Sequence, residues 1–171
     1  DFGGTARVYA SGFSVGGNGY LGTGFNSTSG ITFQDFWKYD PVANAWTKLA
    51  DFPGGPRLDI DRACFVICDK GYWGCGGNST GWKSDLWEYT PATNSWSQKA
   101  DFGGTARERA VGFSIGSKGY IGTGYDGVSR GQTKDFWEYD PTGNSWIQKA
   151  SLPDSVRNNA SVFVIGAKAY V

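Results

Sequence analysis

The chain repeats itself every fifty residues, and this period constrains its fold more than any other feature. "DFGGTAR" stands at 1–7 and again at 101–107, with "DFPGGPR" at 51–57 between them. "DFWKYDPVANAW" at 35–46 returns as "DLWEYTPATNSW" at 85–96 and "DFWEYDPTGNSW" at 135–146. Residues 1–50 agree with 101–150 at about 27 of 50 positions. The 171 residues therefore divide into repeats 1–50, 51–100 and 101–150, with an incomplete fourth at 151–171. A unit this short does not bury a core alone, so successive units must stack.

Each repeat reads as four short strands. "ASGFSV" (10–15) is the first, and "RACFVI", "AVGFSI" and "ASVFVI" are its counterparts. Four residues such as "GGNG" or "CDKG" are expected to turn the chain into the second strand, which begins at Tyr20, Tyr72 and Tyr120. A polar loop leads to a third strand, "DFWKY", and a turn leads to the fourth, "AWTKL". That last turn has clear chemistry: Asp40 accepts from backbone N–H groups ahead of it, Pro41 presets φ, and Asn44 tolerates a left-handed backbone. Strand alternation sends Trp37 and Tyr39 to one side and Phe36 to the other, so both faces carry rings and both need a neighbour. Abundant Gly, Trp, Tyr and Phe with few helix formers agree with an all-β chain. Four strands per repeat of this length is the pattern of a β-propeller blade.

The Tyr–Trp pairs Tyr39–Trp46, Tyr89–Trp96 and Tyr139–Trp146, with the glycine pair Gly76–Gly77 ahead of the second of them, give the whole chain a resemblance to Kelch-repeat proteins. Blades one and three carry "GTGF" and "GTGY" in place of the glycine pair. The wording is similar to the galactose-oxidase-like Kelch repeats of secreted bacterial proteins. This resemblance implies a propeller of four-stranded blades, about three and a half of them here, in an extracellular or cell-surface protein. Kelch rings close at about six or seven blades. Closure is therefore expected from missing blades of a longer protein or from a second chain, since twice three and a half is seven.

Composition removes several function classes. Lys plus Arg number 16 and Asp plus Glu number 16, so the basic footprint of a nucleic-acid binder is missing. No stretch approaches the roughly 20 apolar residues of a membrane-spanning helix. The chain has no His, so neither Ser–His–Asp chemistry nor the His-ligated copper site of Kelch oxidases is built within these residues. No metal site and no cofactor is expected.

The candidate functional residues fall into three sets. Arg7, Arg57, Arg107 and Arg157 recur in the links between blades, where the resemblance places the partner-binding face. A ring of guanidinium groups there would suit an anionic ligand, but verbatim repetition favours a role in the scaffold. Positions that differ between blades are better evidence for a site. These are Asp59, Asp61 and Arg62 in an insertion of blade two, Glu108 and Arg109 in blade three, and Trp82 and Tyr125 in or beside the polar loops. Links and loops should emerge on one face because the strands alternate in direction. The third set is the cysteines: a register with Ile67 opposite Tyr72 would place Cys64 opposite Cys75, within disulfide reach.

The reading is a non-catalytic platform that binds a glycan or a protein ligand through this face. One alternative is a metal-independent sugar-processing enzyme resembling the Kelch-type sialic-acid mutarotases, with Asp59, Asp61, Arg62, Glu108 and Arg109 as its acid–base groups. Another is a structural repeat of a larger surface protein.

Overall fold

The computed structural model describes residues 1–58 and 63–171. It holds three four-stranded antiparallel sheets, each with its strands in chain order, followed by a two-stranded hairpin. Blade one comprises Ser11–Val15, Asn18–Gly22, Phe36–Asp40 and Ala45–Lys48. Blade two comprises Cys64–Ile67, Lys70–Gly74, Leu86–Thr90 and Ser95–Lys99. Blade three comprises Val111–Ile115, Lys118–Gly122, Phe136–Asp140 and Ser145–Lys149. The inner hairpin of a fourth blade follows, Phe163–Ile165 with Lys168–Tyr170. The arrangement is a β-propeller of partial extent and not a closed ring. Of the fourth blade the described residues hold the first and second strands.

The turns between third and fourth strands form as their residues require. Asp40 Oδ1 accepts from the backbone N–H groups of Val42 (2.9 Å) and Ala43 (3.1 Å), and Asn44 sits at φ 49°. Thr90 replaces the aspartate in blade two and makes no side-chain cap. There the turn tightens into a short 3₁₀ segment, Pro91–Thr93, closed by left-handed Asn94.

The first hairpins are tighter than expected. Val15 pairs with Asn18, Ile67 with Lys70 and Ile115 with Lys118, leaving two-residue turns. Gly16, Cys68 and Gly116 lead these turns at positive φ, the conformation a tight hairpin of right-handed twist demands. The register therefore shifts by two residues. Cys64 faces Trp73, not Cys75, and Phe65 faces Tyr72. Cys64 packs against the cluster shared with blade one, while Cys75 lies in the cluster shared with blade three. The two thiols thus serve opposite faces of the sheet and both are free.

The core lies between blades. Val15, Tyr20 and Phe36 of blade one pack on Trp73 and Tyr89 of blade two, with Phe52 from the link. Phe65, Ile67, Tyr72 and Leu86 pack in the same way on Ile121 and Tyr139, with Phe102 from the next link. On blade one the face turned from blade two carries Trp37, Tyr39 and Trp46, all half-buried. Their covered counterparts Tyr89 and Tyr139 are 1% and 0% exposed.

The polar loops are more ordered than a loop reading implies. Phe25–Asn26 pairs with Ile31–Thr32, and Gly77–Asn78 with Gly81–Trp82, as small hairpins. In blade three Tyr125–Asp126 pairs with Arg107–Glu108 of the link. Val8 and Leu58 of the other links bridge Phe25 and Gly77 likewise. Links and loops therefore share one face, as the alternation of strand direction requires.

Candidate functional site

The repeated arginines are latches inside this face. Arg107 donates from Nη1 to Asp135 Oδ1 (2.6 Å) and from Nη2 to Asp135 Oδ2 (2.9 Å), the two-pronged geometry that suits a guanidinium. Nη1 also reaches the carbonyl of Thr123 at 2.9 Å, and Nε reaches that of Thr105 at 3.0 Å. Asp135 Oδ2 accepts in addition from the Trp137 indole at 2.8 Å. Arg57 repeats the arrangement with Asp85 and the carbonyl of Cys75, and Arg7 with Asp35 and the carbonyl of Thr23. The backbones of Arg57, Arg107 and Arg157 stitch adjacent loops: Arg107 N–H donates to the carbonyl of Lys83, and its own carbonyl accepts from Gly76. The link lies flat because it is glycine-rich. A Cβ on Gly103 would come within 2.6 Å of the Trp137 ring, and one on Gly104 within 2.7 Å of the Phe102 ring.

Arg57 and Arg107 are 1% exposed, and both terminal nitrogens of each guanidinium are held by these partners, so the charge is turned inward. This corrects the reading of a guanidinium ring open to an anion: at Arg7, Arg57 and Arg107 the charge is buried against its own aspartate. Arg157 differs. It reaches the carbonyls of Ser155 and Val171, and Asp154 at 3.9 Å, but the aspartate found 28 residues on in the other repeats would fall after residue 171.

These carboxylates set an acid limit. Burial alone would raise the pKa of Asp135, but the hydrogen bond and charge of Arg107 outweigh it and hold the group below the ordinary aspartate value of 3.8. Asp35 is held low against the same opposition by Arg7 and Trp37. In the unfolded chain both return to the ordinary range and bind protons more readily. Their stabilisation is therefore complete above that range and is lost as pH falls through it toward the folded values. We expect the melting temperature to drop below about pH 4, and Asp135→Asn to flatten that drop. A melting temperature unchanged from pH 6 to pH 3 would contradict this.

Beyond the latches, the face diverges between blades. Tyr9, Arg109 and Asn159 occupy the same repeat position, two residues ahead of where the first strand of blades one and three begins. All three have positive φ, at 58°, 56° and 52°. A left-handed backbone is uncommon for residues with a Cβ, and here it is kept at one repeat position while the residue type changes. The first strands of successive blades are neighbours, so these residues ring the mouth of the propeller axis.

A groove opens beside this ring, between blades two and three. It has a volume of about 310 Å³, and Leu58, Asn78, Trp82 and Glu108 contribute to its walls. The Trp82 ring lies 5.7 Å from that of Tyr125 at 57°. A Cβ on Gly127 would come within 2.3 Å of the indole, so blade three yields room for it. Glu108 is half-buried, with the nearest guanidinium nitrogen, Arg109 Nε, at 3.7 Å. A larger and shallower hollow of about 510 Å³ lies beside the Arg107 latch. There Thr133 stands where Phe33 covers Arg7 in blade one.

With this geometry in hand, known proteins are informative. No protein-family model matches the sequence. Kelch domain-containing protein 3 of Bos taurus and of Homo sapiens is 32% identical over 60 residues, which is 35% of this chain and 16% of that relative. The solved structure of YjhT superposes with a TM-score of 0.82 at 22% identity, over 96% of this chain and 57% of that one. The fold is that of a β-propeller, and a sixty-residue stretch of it is similar to a Kelch protein. This chain spans 57% of the length of that solved protein and matches 16% of the curated relatives.

On this scaffold the sequence-derived candidates separate. Trp82, Tyr125 and Glu108 come together across the boundary of blades two and three, with Arg109 next to them on the rim. Asp59, Asp61 and Arg62 lie outside the described residues. Cys64 and Cys75 are structural: burial pushes their thiols up to about 11 and about 12, and Cys64 Sγ donates to the carbonyl of Gly12 at 3.3 Å. Among the described residues no group of three His, Cys, Asp or Glu side chains is placed to hold a metal ion, and no helix is long and apolar enough to cross a membrane. Sequence reasoning favoured a scaffold role for the arginines without naming Asp35, Asp85 and Asp135 as their partners, and it gave Asn78 no part in a binding groove. The latch carried a signal: Asp35, Asp85 and Asp135 recur in step with Arg7, Arg57 and Arg107.

Proposed function

We propose that this chain is a non-catalytic Kelch platform that binds a glycan or a protein ligand, outside the cytoplasm, through the face where links and loops meet. The observation that carries this reading is the division of labour on that face. The latches repeat in identical form and are buried, whereas the rim residues Tyr9, Arg109 and Asn159 change type at one strained backbone position. A rigid frame with interchangeable rim side chains is how a propeller acquires specificity without loss of stability. Proton-transfer chemistry receives less support. Every carboxylate with a displaced pKa among the described residues is held low, whereas a general acid at neutral pH needs a raised value.

The test is a glycan array together with a displayed peptide library. Each is probed with the wild-type chain, with a rim variant (Tyr9→Ala, Arg109→Ala), and with a variant of the opposite face (Asp69→Ala). At least one ligand should lose about tenfold or more in affinity on the rim change and keep it on the other. If no ligand is sensitive to the rim, the platform reading fails.

A further inference from the structure

We infer that the groove between blades two and three binds a neutral saccharide ring, stacked on Trp82 and hydrogen-bonded by Glu108 and Asn78. This rests on the platform reading and gives it a ligand class. The groove is built where the repeat is broken. Trp82 follows Gly81 in the small hairpin at the place Thr32 takes after Ile31 in blade one. Glu108 stands where the first two links place Val8 and Leu58 and the fourth places Asn158. Scaffold residues of this chain recur in every blade, whereas both of these positions change from blade to blade, and their meeting on one groove points to a ligand.

The chemistry of the walls selects the class. Trp82 is half-buried and wedged against Tyr125 and Gly127, which holds the indole in one orientation and leaves part of it on the groove. A fixed aromatic surface is a platform for the flat C–H face of a pyranose. Glu108 contributes a carboxylate that accepts from hydroxyls. Asn78 contributes a donor. Its Oδ1 is occupied by the N–H (2.9 Å) and hydroxyl (2.7 Å) of Thr80, but its NH₂ has no acceptor among the described residues. The equivalent Asn26 in blade one donates the same NH₂ to the carbonyl of Ala6 at 2.8 Å. The groove thus presents an apolar ring, an acceptor and a donor, the complement of a polyhydroxylated ring. The charged side chain in its wall is the Glu108 carboxylate, with Arg109 Nε 3.7 Å from it, and a carboxylate in the wall disfavours an acidic sugar such as a sialic acid. At about 310 Å³ it is at the small end of ligand pockets.

The experiment follows the Trp82 indole N–H by ¹⁵N–¹H correlation spectroscopy, its peak assigned by loss in Trp82→Phe. The 171-residue chain is titrated with methyl glucoside, methyl galactoside, N-acetylglucosamine and, separately, N-acetylneuraminic acid. At least one neutral saccharide should shift the Trp82 peak saturably with a Kd of about millimolar order, and N-acetylneuraminic acid should leave it in place. Glu108→Gln, which keeps size and fold, should weaken that binding about fivefold. Trp82→Ala should weaken it about tenfold, read on other groove resonances. The inference is overturned if no neutral saccharide moves the peak, if Glu108→Gln leaves the affinity unchanged, or if the sialic acid binds best. A rim-sensitive peptide with all saccharides silent overturns the saccharide alone. No rim-sensitive ligand of any kind removes the platform as well.

Discussion

Replacing Arg107 by Ala is expected to cost about 3–5 kcal/mol of unfolding free energy, whereas Arg157→Ala, the same repeat position, should cost under about 1 kcal/mol. Arg107 engages all three guanidinium nitrogens, on Asp135, Thr105, Thr123 and Thr133, and is 1% exposed. Removing it leaves a carboxylate and buried carbonyls without their donor, and the penalty is that of the stranded groups rather than of the lost pair. The Asp135 side chain is 21% exposed, so solvent relieves part of the cost and places the value toward the lower end of the range. Arg107→Lys keeps the charge but not the fork and should fall between the two alanine variants. Arg157 has only long or exposed contacts, so little is stranded when it goes. The measurement is the urea midpoint, with the m-value as a control. A lower m for Arg107→Ala would mean that the blades had come uncoupled and no longer unfold together. Equal losses at the two positions would refute a latch that depends on its aspartate.

How much of this was legible beforehand depends on range. The blades follow from period-two alternation of rings and from turn chemistry such as Asp40 with Asn44, all of it local in sequence. The hairpin register was not legible, because Asn18, Lys70 and Lys118 read as turn residues on polarity alone. Two of them are held in the strand by partners from the third strand: Lys70 meets Glu88 and Lys118 meets Asp140, each at 2.7 Å. That error of two residues was enough to pair Cys64 with Cys75, which in fact serve different inter-blade clusters. The groove was legible only as a list. Trp82, Tyr125 and Glu108 stood out by departing from the repeat, but that they meet is a consequence of how blade two seats on blade three. Asn78 did not stand out as a groove residue because its counterpart Asn26 has the same type, and only the hydrogen-bond pattern tells them apart.

That seating makes the second strong prediction. Phe65→Ala should destabilise the chain by about 3–5 kcal/mol, while Phe163→Ala, its equivalent in the last hairpin, should be near neutral. Phe65 is 4% exposed, stacks on Tyr72 at 5.1 Å, and seats over Gly119 of the next blade, where an added Cβ would lie 2.1 Å from the ring. Phe13 seats over Gly71 in the same way. The glycine is thus a socket, and the aromatic residue of the preceding blade is the knob that fills it. Phe163 stacks on Tyr170 at 5.1 Å but is 58% exposed, a knob with no socket among the described residues. The complementary series tests the other half of the contact. Gly119→Ala and Gly71→Ala should each cost about 1–3 kcal/mol through overpacking. Gly19→Ala, whose added Cβ would meet only Tyr39 Cβ at 3.7 Å, should be neutral or stabilising by up to about 1 kcal/mol, because a strand glycine without a packing role costs conformational entropy. One residue type at one repeat position then gives opposite signs according to whether a neighbouring blade is seated on it. If all three glycine variants behave alike, the blades are not registered by these knobs. The groove, which depends on the seating of blade two against blade three, would then lose its geometric basis.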